Sequence, residues 1–261
     1  MVAALGFYVV SILGAVTVLT VVLPQADMMV ADDFFDMARP LPLAIGLGLI
    51  AVMLPAALLA VGVVGKRPAG TLASVAGRMR WPVLGRGMLI ALGTLAVSLG
   101  IQLVLPFFPA APVAAVRDPL WLMLLIPLLL APLQSAAEEY VFRGMIPQVL
   151  GVWVASPWIA YGLPVVGFTL GHIYDPAGLI AVAGFGIAAS WLTWRSGGIE
   201  LAVALHVVNN TVLFGLSAFG LVDPNATVIP VPSAVLDVAV TVLSTLVMMR
   251  WVIRPMGLRP S

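Results

Sequence analysis

The sequence predicts an all-α protein, a polytopic membrane helical bundle of about eight transmembrane helices. Hydrophobic residues make up 62% of the 261 positions and charged residues only 9%, whereas an average soluble domain is roughly 25% charged. The mean hydropathy is +1.15. Apolar runs of about 20 residues, the length that crosses a bilayer, occur near 2–24, 42–64, 86–106, 119–150, 155–173, 176–194, 198–220 and 231–252.

The first of these runs is predicted to be a retained transmembrane helix. It lacks a basic segment before the apolar run, and the run is too long for the core of a signal peptide. The sizeable polar connections are 25–41 and 65–85, both too short for an extra domain, and no repeat of fixed period is present. We therefore expect a single integral membrane domain over 1–261, with a motif-bearing half at about 119–220.

The basic residues predict the orientation, because Lys and Arg are retained on the cytoplasmic side. Loop 65–85 is basic and is predicted inside, whereas loop 25–41 is mainly acidic and is predicted outside. Eight crossings then place both termini in the cytoplasm, in a multi-pass protein of the plasma membrane. Arg39 and Arg117 do not follow the pattern. The residues predicted inside are Lys66, Arg67, Arg78, Arg80, Arg86, Arg195, Arg250, Arg254 and Arg259, and those predicted outside include Asp175 and Asp223.

Charge and cysteine content exclude several classes of function. The formal net charge is +1, and no basic run is present that would attract nucleic acid. With no cysteine the chain can form neither a disulfide nor a thiolate nucleophile or metal site. The predicted partners are therefore membrane lipids and molecules that enter from the membrane. Nothing in the sequence predicts the oligomeric state.

A few ionisable residues nevertheless fall inside the apolar segments. Glu138 and Glu139 lie within the fourth segment, and both histidines of the chain, His172 and His206, lie in later ones. Asp237, near the start of the last segment, is a comparable case. Such groups cost about 2.5–3.5 kcal/mol each on insertion scales, so they usually face a bundle interior and mark function.

Helical spacing sorts these groups into pairs. Glu139 and Arg143 are four residues apart, so they share one helix face and are predicted to form an ion pair. Glu138 lies about 100° around the helix, so it is not the favoured partner of that arginine. By the same spacing His206 projects with Asn210, and Phe168 projects with His172, although Phe168 itself is expected to pack rather than react.

Glu138 and His172 lie at similar depths in the membrane only if the fourth helix is long. At about 1.5 Å per residue, a helix that ended at Arg143 would leave Glu138 near the cytoplasmic surface, far from His172. A tilted helix that continues to about Leu150, bent at Pro127, Pro132 or Pro147, brings their depths close to one another. We therefore predict a cavity inside the membrane that opens toward the cytoplasm.

These residue types suit hydrolysis of a peptide bond without a protein nucleophile. A carboxylate in an apolar site, such as Glu138, can act as general base to a water and then as general acid to the leaving amine. His172 would orient that water or help to deprotonate it. The imidazole of His206 and the carboxamide of Asn210 could stabilise the oxyanion of a tetrahedral intermediate.

Three short motifs resemble one known family. EEYVFR at 138–143, FTLGH at 168–172 and HVVNN at 206–210 match the E-E-x-x-x-R, F-x-x-x-H and H-x-x-x-N motifs of the CAAX-protease and bacteriocin-processing family (CPBP, or Abi) of intramembrane endopeptidases. The resemblance implies Glu138 as catalytic acid with Glu139 and Arg143 as motif partners; Glu139 is counted among the catalytic residues, and Arg143 is a structural partner. It further implies that His172 helps to activate the water and that His206 and Asn210 stabilise the oxyanion. The implied substrates are peptides or lipidated proteins, either CAAX-type or bacteriocin-like.

A divalent metal is a second possibility within the same set of residues. Glu138, His172 and His206 could hold zinc, since two histidines and a carboxylate suffice for a catalytic site. Asn210 is a poor zinc ligand and favours the mechanism without metal, but the sequence leaves this choice open. No H-E-x-x-H is present, which argues against a zinc protease of the site-two type.

Two other functional classes fit part of the pattern. A proton-coupled transporter could use Glu138 and His172 as a proton relay, although the repeated halves that are usual in transporters are missing. A non-catalytic membrane scaffold could keep the same residues for folding, as a buried ion cluster that locks helices together. The other classes of intramembrane protease do not fit, because their G-x-G-D and G-x-S-G motifs are incomplete here.

Overall fold

The computed structural model describes residues 6, 7, 9, 10, 36–105 and 115–261. Regular structure in these residues is helical, apart from one isolated bridge between Ser74 and Gly198, which confirms the predicted all-α class. The helices are α1 (Pro40–Ala51), α2 (Met53–Leu59), α3 (Trp81–Val104), α4 (Leu120–Glu139), α5 (Ile146–Leu150), α6 (Pro157–Leu170), α7 (Pro176–Ser196), α8 (Glu200–Ala218) and α9 (Val231–Met248).

The described helices are those of a membrane protein. Six of them are long and apolar enough to cross a membrane, and α6 is a shorter apolar helix. Seven of the eight predicted segments are thereby accounted for, and the first, 2–24, falls largely outside the described residues. The six are Pro40–Val64, Trp81–Val104, Leu120–Leu150, Pro176–Ser196, Glu200–Ala218 and Val231–Ile253.

The fourth predicted segment forms one helix of 31 residues, Leu120–Leu150. This agrees with the long helix that was predicted so that Glu138 and His172 would lie at similar depths in the membrane. The segment Tyr140–Met145, in the last third of this helix, is π-helical, which the sequence pattern did not predict. Pro147 offers a reason, because proline has no N–H to donate to the carbonyl of Arg143 and its ring crowds that carbonyl. A wider turn just before the proline relieves both problems, and such π-bulges are frequent at functional sites.

The chain divides into two compact units, each built from segments that are distant in sequence. Unit 1 comprises Met1–Ala69, Pro112–Val141 and Asn210–Asn225. In its described residues α1 packs along α4, and a core of Leu43, Leu47, Met123, Ala131 and Ala218 lies between these helices and the end of α8. Leu43, Met123 and Ala131 are completely buried there.

Unit 2 comprises Gly70–Ala111, Phe142–Asn209 and Ala226–Ser261. Here α7 packs against both α6 and α9, and α9 packs against α3. Gly184 lets α9 approach closely, because a Cβ at this position would lie 3.2 Å from the side chain of Val238. Small residues at contacts of this kind are typical of helices packed in membranes. A hydrogen bond of 2.6 Å between the hydroxyls of Thr94 and Ser244 joins α3 to α9.

One end of unit 2 is held by a buried ion pair. The guanidinium of Arg80 donates from Nε and Nη2 to the two carboxylate oxygens of Glu200, each at 2.7 Å, and from Nη1 to the carbonyl of Ser196 at 3.0 Å. Glu200 is the first residue of α8 and is fully buried. The pair therefore fixes the start of the helix that carries His206.

Candidate active site

Phe168 is the centre of an aromatic cluster in unit 2. It lies in the last turn of α6 and is 3% exposed. The rings of His172 and His206 lie 4.8 and 6.0 Å from its ring, centroid to centroid, and the guanidinium carbon of Arg143 lies 4.2 Å above its face. Three residues from the three sequence motifs thus meet on one phenylalanine.

His172 lies outside a helix, although the fifth apolar segment was predicted to include it. The helix α6 ends at Leu170, because Gly171 caps it and Asp175 already caps the start of α7. The predicted contact between Phe168 and His172 is nevertheless confirmed, since the ring turns back over the end of α6. Its Nδ1 lies 2.8 Å from the carbonyl oxygen of Phe168.

That hydrogen bond fixes the tautomer of His172. A carbonyl oxygen only accepts, so Nδ1 carries the proton and donates it. In the neutral ring Nε2 then keeps its lone pair, which can accept a proton or a hydrogen bond from water. His172 is partly exposed, so this nitrogen is on a side chain that other molecules can reach.

His206 is held more deeply. It is 4% exposed and lies edge-on to Phe168 and to Phe185, whose ring is 5.0 Å away at 67°. Edge-to-face packing of this kind restrains a ring from two sides. Phe185, on α7, belongs to no motif, and sequence spacing within one helix cannot reveal a neighbour that comes from another.

Arg143 lies in the π-helical segment and is 2% exposed. Its guanidinium lies over Phe168, is 5.8 Å from the ring of Phe185, and donates from Nη2 to the carbonyl of Gly186 at 3.4 Å. A side chain on Gly186 would crowd it, since a Cβ there would lie 3.3 Å from Nη2. These contacts suit a structural partner, and the predicted pairing with Glu139 stays a prediction.

The remaining predicted residues belong to unit 1. Asn210 donates from Nδ2 to Oε1 of Gln134 at 2.9 Å, and Gln134 lies one helical turn before Glu138 on the same face of α4. The hydrogen bond therefore brings Asn210 to the face of α4 that carries Glu138. Gln134 was not among the residues predicted from the sequence, although its spacing of four from Glu138 is a signal that could have found it.

The two adjacent glutamates differ in exposure. Glu139 is completely buried, whereas Glu138 is partly exposed. A side chain that is partly exposed can meet a substrate, and a fully buried charge instead serves the packing of the helix that carries it. This difference is consistent with the division of roles that helical spacing predicts for the pair.

The donors for a metal ion are divided between the two units. In the described part of either unit, no group of three His, Asp, Glu or Cys side chains is placed to hold a metal ion. Unit 2 supplies His172 and His206 as nitrogen donors, and a site of the predicted composition would also need Glu138. The metal assignment made from the sequence stays a prediction.

Comparison with known proteins identifies the segment that carries the motifs. Residues 117–212 match the family model described as Type II CAAX prenyl endopeptidase Rce1-like. The match includes all three motifs and confirms the family resemblance predicted from them. Comparisons with curated proteins and with solved structures found no significant match.

Proposed function

We propose that this chain, whose residues 117–212 match the type II CAAX prenyl endopeptidase family, is an intramembrane endopeptidase that hydrolyses peptide bonds of membrane-associated substrates. The observation that carries the proposal is the exposure of the motif residues. Of the four residues to which chemistry is assigned, Glu138, His172 and Asn210 are partly exposed, whereas His206 is 4% exposed. Glu139, the motif partner of Glu138 in the catalytic set, and Arg143, the structural partner, are at most 2% exposed.

In the proposed reaction Glu138 takes a proton from a water molecule as the water oxygen attacks the scissile carbonyl. The C–N bond of the tetrahedral intermediate then breaks, and Glu138 returns the proton to the leaving amine. The products are a carboxylic acid and an amine, so water is the only co-reactant. General base and general acid roles in one carboxyl group are consistent with this sequence of proton transfers.

His172 supports the water through Nε2. Because Nδ1 donates to the carbonyl of Phe168, the neutral ring presents an acceptor at Nε2 that can orient the O–H of a water. The contacts of His172 with Phe168 and Tyr174 keep the plane of the ring in place. The role of His172 is therefore to orient and help to deprotonate the nucleophile.

Asn210 and His206 are assigned to the oxyanion. The two residues lie one turn apart on α8, so they project on the same side of the helix. The bond to Gln134 uses one N–H of the Asn210 amide, and an amide nitrogen has two. Gln134 thereby orients the carboxamide that would donate to the developing negative charge.

A metal-free reaction is the form that we propose, with a zinc-dependent form as the alternative. If zinc were bound, Glu138, His172 and His206 would hold it, and it would lower the pKa of the attacking water. Metal analysis of the purified protein separates the two forms. Wild-type protein and the His206→Ala variant should contain equally little metal, and chelator should not affect cleavage. Stoichiometric metal that disappears in His206→Ala would favour the zinc form.

The activity itself is tested by reconstituting the purified chain in lipid vesicles. Farnesylated CAAX-type peptides and matched peptides without the prenyl group are added, and the products are identified by mass spectrometry. Wild-type protein should cleave at least one class, and His172→Ala should lose cleavage while staying folded. The matched control is Ile173→Ala, because this neighbour is 84% exposed and should leave activity intact. Folded wild-type protein that cleaves neither class would contradict the proposal.

A further inference from the structure

Three tryptophans of unit 2 form a cluster that the proposed mechanism does not use. Trp158 is the second residue of α6, and Trp191 and Trp194 lie near the end of α7. Each ring contacts the other two, with centroids 5.3 to 5.9 Å apart. The cluster therefore joins the start of α6 to the end of α7.

The tryptophan cluster lies at the surface, at the end of a helix that can span a membrane. Trp158 is 68% exposed, and the other two rings belong to partly exposed residues. α7 is one of the helices long and apolar enough to cross a bilayer. Ile187, one turn before Trp191 on the same face of α7, is 62% exposed. An exposed apolar face that ends in tryptophans is typical of a helix that meets lipid chains along its length and headgroups at its end.

Arg195 adds a cation to the tryptophan cluster. Its guanidinium carbon lies 5.6 Å from the ring of Trp191, and the residue is partly exposed. No described residue forms a hydrogen bond or an ion pair with Arg195, and its Nε is buried without a partner. A guanidinium has five N–H donors and no acceptor, so the remaining N–H groups of Arg195 can bind an anion at this surface.

Two indole N–H groups of the cluster are also available to a ligand. Nε1 of Trp191 already donates to the sulfur of Met249 at 3.2 Å. The indole N–H groups of Trp158 and Trp194 form no hydrogen bond with any described residue. An indole N–H only donates, so these two groups favour a ligand with acceptor oxygens, such as a phosphate. The cluster and Arg195 thus present donors of one kind.

Acidic side chains in the described part of unit 2 do not offset the positive charge of the cluster. They are Asp175, Glu200 and Asp237. Asp175 caps the opposite end of α7, roughly 30 Å from Arg195, and Glu200 is neutralised by Arg80. Asp237 lies roughly 20 Å along its helix from Arg250, the exposed arginine that follows Met249. An anion bound at the cluster would therefore meet a positive surface.

We propose that Trp158, Trp191, Trp194 and Arg195 form a binding site for the headgroup of an anionic phospholipid. Arg195 and the two free indole N–H groups donate to the phosphate oxygens, and the acyl chains lie along the exposed face that carries Ile187. The predicted cytoplasmic location of this end agrees with the site, because the cytoplasmic leaflet carries anionic lipids. The proposal is independent of the endopeptidase function, since it uses none of the residues assigned to catalysis.

The test measures contact between lipid and the cluster by quenching of tryptophan fluorescence. The protein is reconstituted in phosphatidylcholine vesicles that contain brominated phosphatidylglycerol or brominated phosphatidylcholine, because bromine quenches a tryptophan that it touches. To confine the signal to the cluster, phenylalanine replaces the four exposed tryptophans outside it, Trp81, Trp121, Trp153 and Trp251. This protein should keep the wild-type melting temperature and bind phosphatidylglycerol roughly fivefold more tightly than phosphatidylcholine.

Arg195→Gln should lower this preference about fivefold, the factor that one cation contributes at an anionic membrane surface. The matched control is Arg86→Gln, which removes the same charge from an exposed arginine of α3 and should leave the preference unchanged. Equal quenching by the two lipids, or equal loss of preference in the two variants, would overturn the site. A preference that disappears when sodium phosphate replaces sodium chloride at equal ionic strength would also overturn it, because the ligand would then be a free anion.

A second measurement needs no substitution of tryptophan. Native mass spectrometry detects the phosphatidylglycerol that stays bound to the purified protein after detergent exchange. Wild-type protein should retain phosphatidylglycerol in preference to phosphatidylcholine, and Arg195→Gln should lose this preference while Arg86→Gln keeps it. Equal retention of phosphatidylglycerol by wild-type protein and Arg195→Gln would contradict the site.

Discussion

The roles proposed for single residues follow from their burial and their neighbours. Glu138 and Glu139 are adjacent, so on a helix their side chains point about 100° apart, and one is partly exposed while the other is buried. His172 and His206 both lie against Phe168, yet only His172 is partly exposed. Exposure therefore distinguishes Glu138 and His172, which are assigned to proton transfer, from buried Glu139 and from His206, which is assigned to the oxyanion.

Replacing Asn210 tests the oxyanion assignment. If its amide donates only to the developing negative charge, Asn210→Ala should lower kcat by about 10²–10³ with little change in KM, as expected for loss of one such donor. The measurement is steady-state cleavage of one peptide by reconstituted protein. Asn209→Ala is the matched control, because this exposed neighbour occupies a variable position of the H-x-x-x-N motif and should leave kcat unchanged. A raised KM with normal kcat in Asn210→Ala would contradict the assignment.

Spacing along the sequence predicts contacts within a helix and fails for contacts between helices. The contact between Phe168 and His172 was predicted from a separation of four residues and is confirmed. Phe185 was not predicted, since its partners come from other helices, whose facing sides no periodicity reveals. Gln134 was not predicted either, although its spacing of four from Glu138 places both on one face of α4; its bond to Asn210 on α8 leaves no signal in that spacing. The position of His172 beyond the helix end was also not predicted, although Gly171 has a low helix propensity.

At the scale of single elements, the long helix Leu120–Leu150 and α8 carry most of the candidate site residues. Continuation of the long helix to Leu150 could be predicted, because the depth of Glu138 requires it. The π-helical turn at Tyr140–Met145 could not, since it depends on how the backbone adjusts to Pro147. The ion pair at the start of α8 was also not predicted, because Arg80 was assigned only to a basic loop, and Glu200 is 120 residues away in sequence.

The ion pair between Arg80 and Glu200 should be essential for stability. Glu200 is fully buried and Arg80 is 15% exposed, so removing one partner leaves a buried charge without compensation. Arg80→Ala should therefore lower the free energy of unfolding by about 3–5 kcal/mol, measured by denaturation in detergent. Arg78→Ala, at an exposed position of the same loop, should have little effect. Equal stability of the two variants would show that the pair contributes no net stabilisation.

At the scale of the whole molecule, hydropathy predicted the membrane spans well. The described spans agree with the predicted segments to within a few residues at most ends, because about 20 apolar residues are needed to cross a bilayer and few soluble folds contain such runs. The division into two units was not predicted, since contacts between distant segments leave no trace in hydropathy. The prediction of a single domain over the whole chain stays a prediction.

Within unit 2 several of the basic residues share one end. Residues 73–75 bond to 197–199, and Trp191 donates to the sulfur of Met249 at 3.2 Å, so Arg80, Arg195 and Arg250 are at the same end. This agrees with the predicted one-sided distribution of basic residues.

The predicted orientation is tested with reporter fusions. Reporters fused within 65–85 should be located in the cytoplasm, and reporters fused within 25–41 should be located outside the cell. The reverse result would invert the predicted orientation.

The activity of the Glu138→Gln variant tests the proposed mechanism most directly. This substitution keeps the size of a partly exposed side chain but removes its capacity to take a proton from water, so the variant should fold normally and lose cleavage. The measurement is the rate of product formation by equal amounts of reconstituted wild-type and variant protein, with the melting temperature in detergent as a check on folding. We expect no cleavage by Glu138→Gln at an unchanged melting temperature. Cleavage at the wild-type rate would contradict the central claim that Glu138 is the catalytic base.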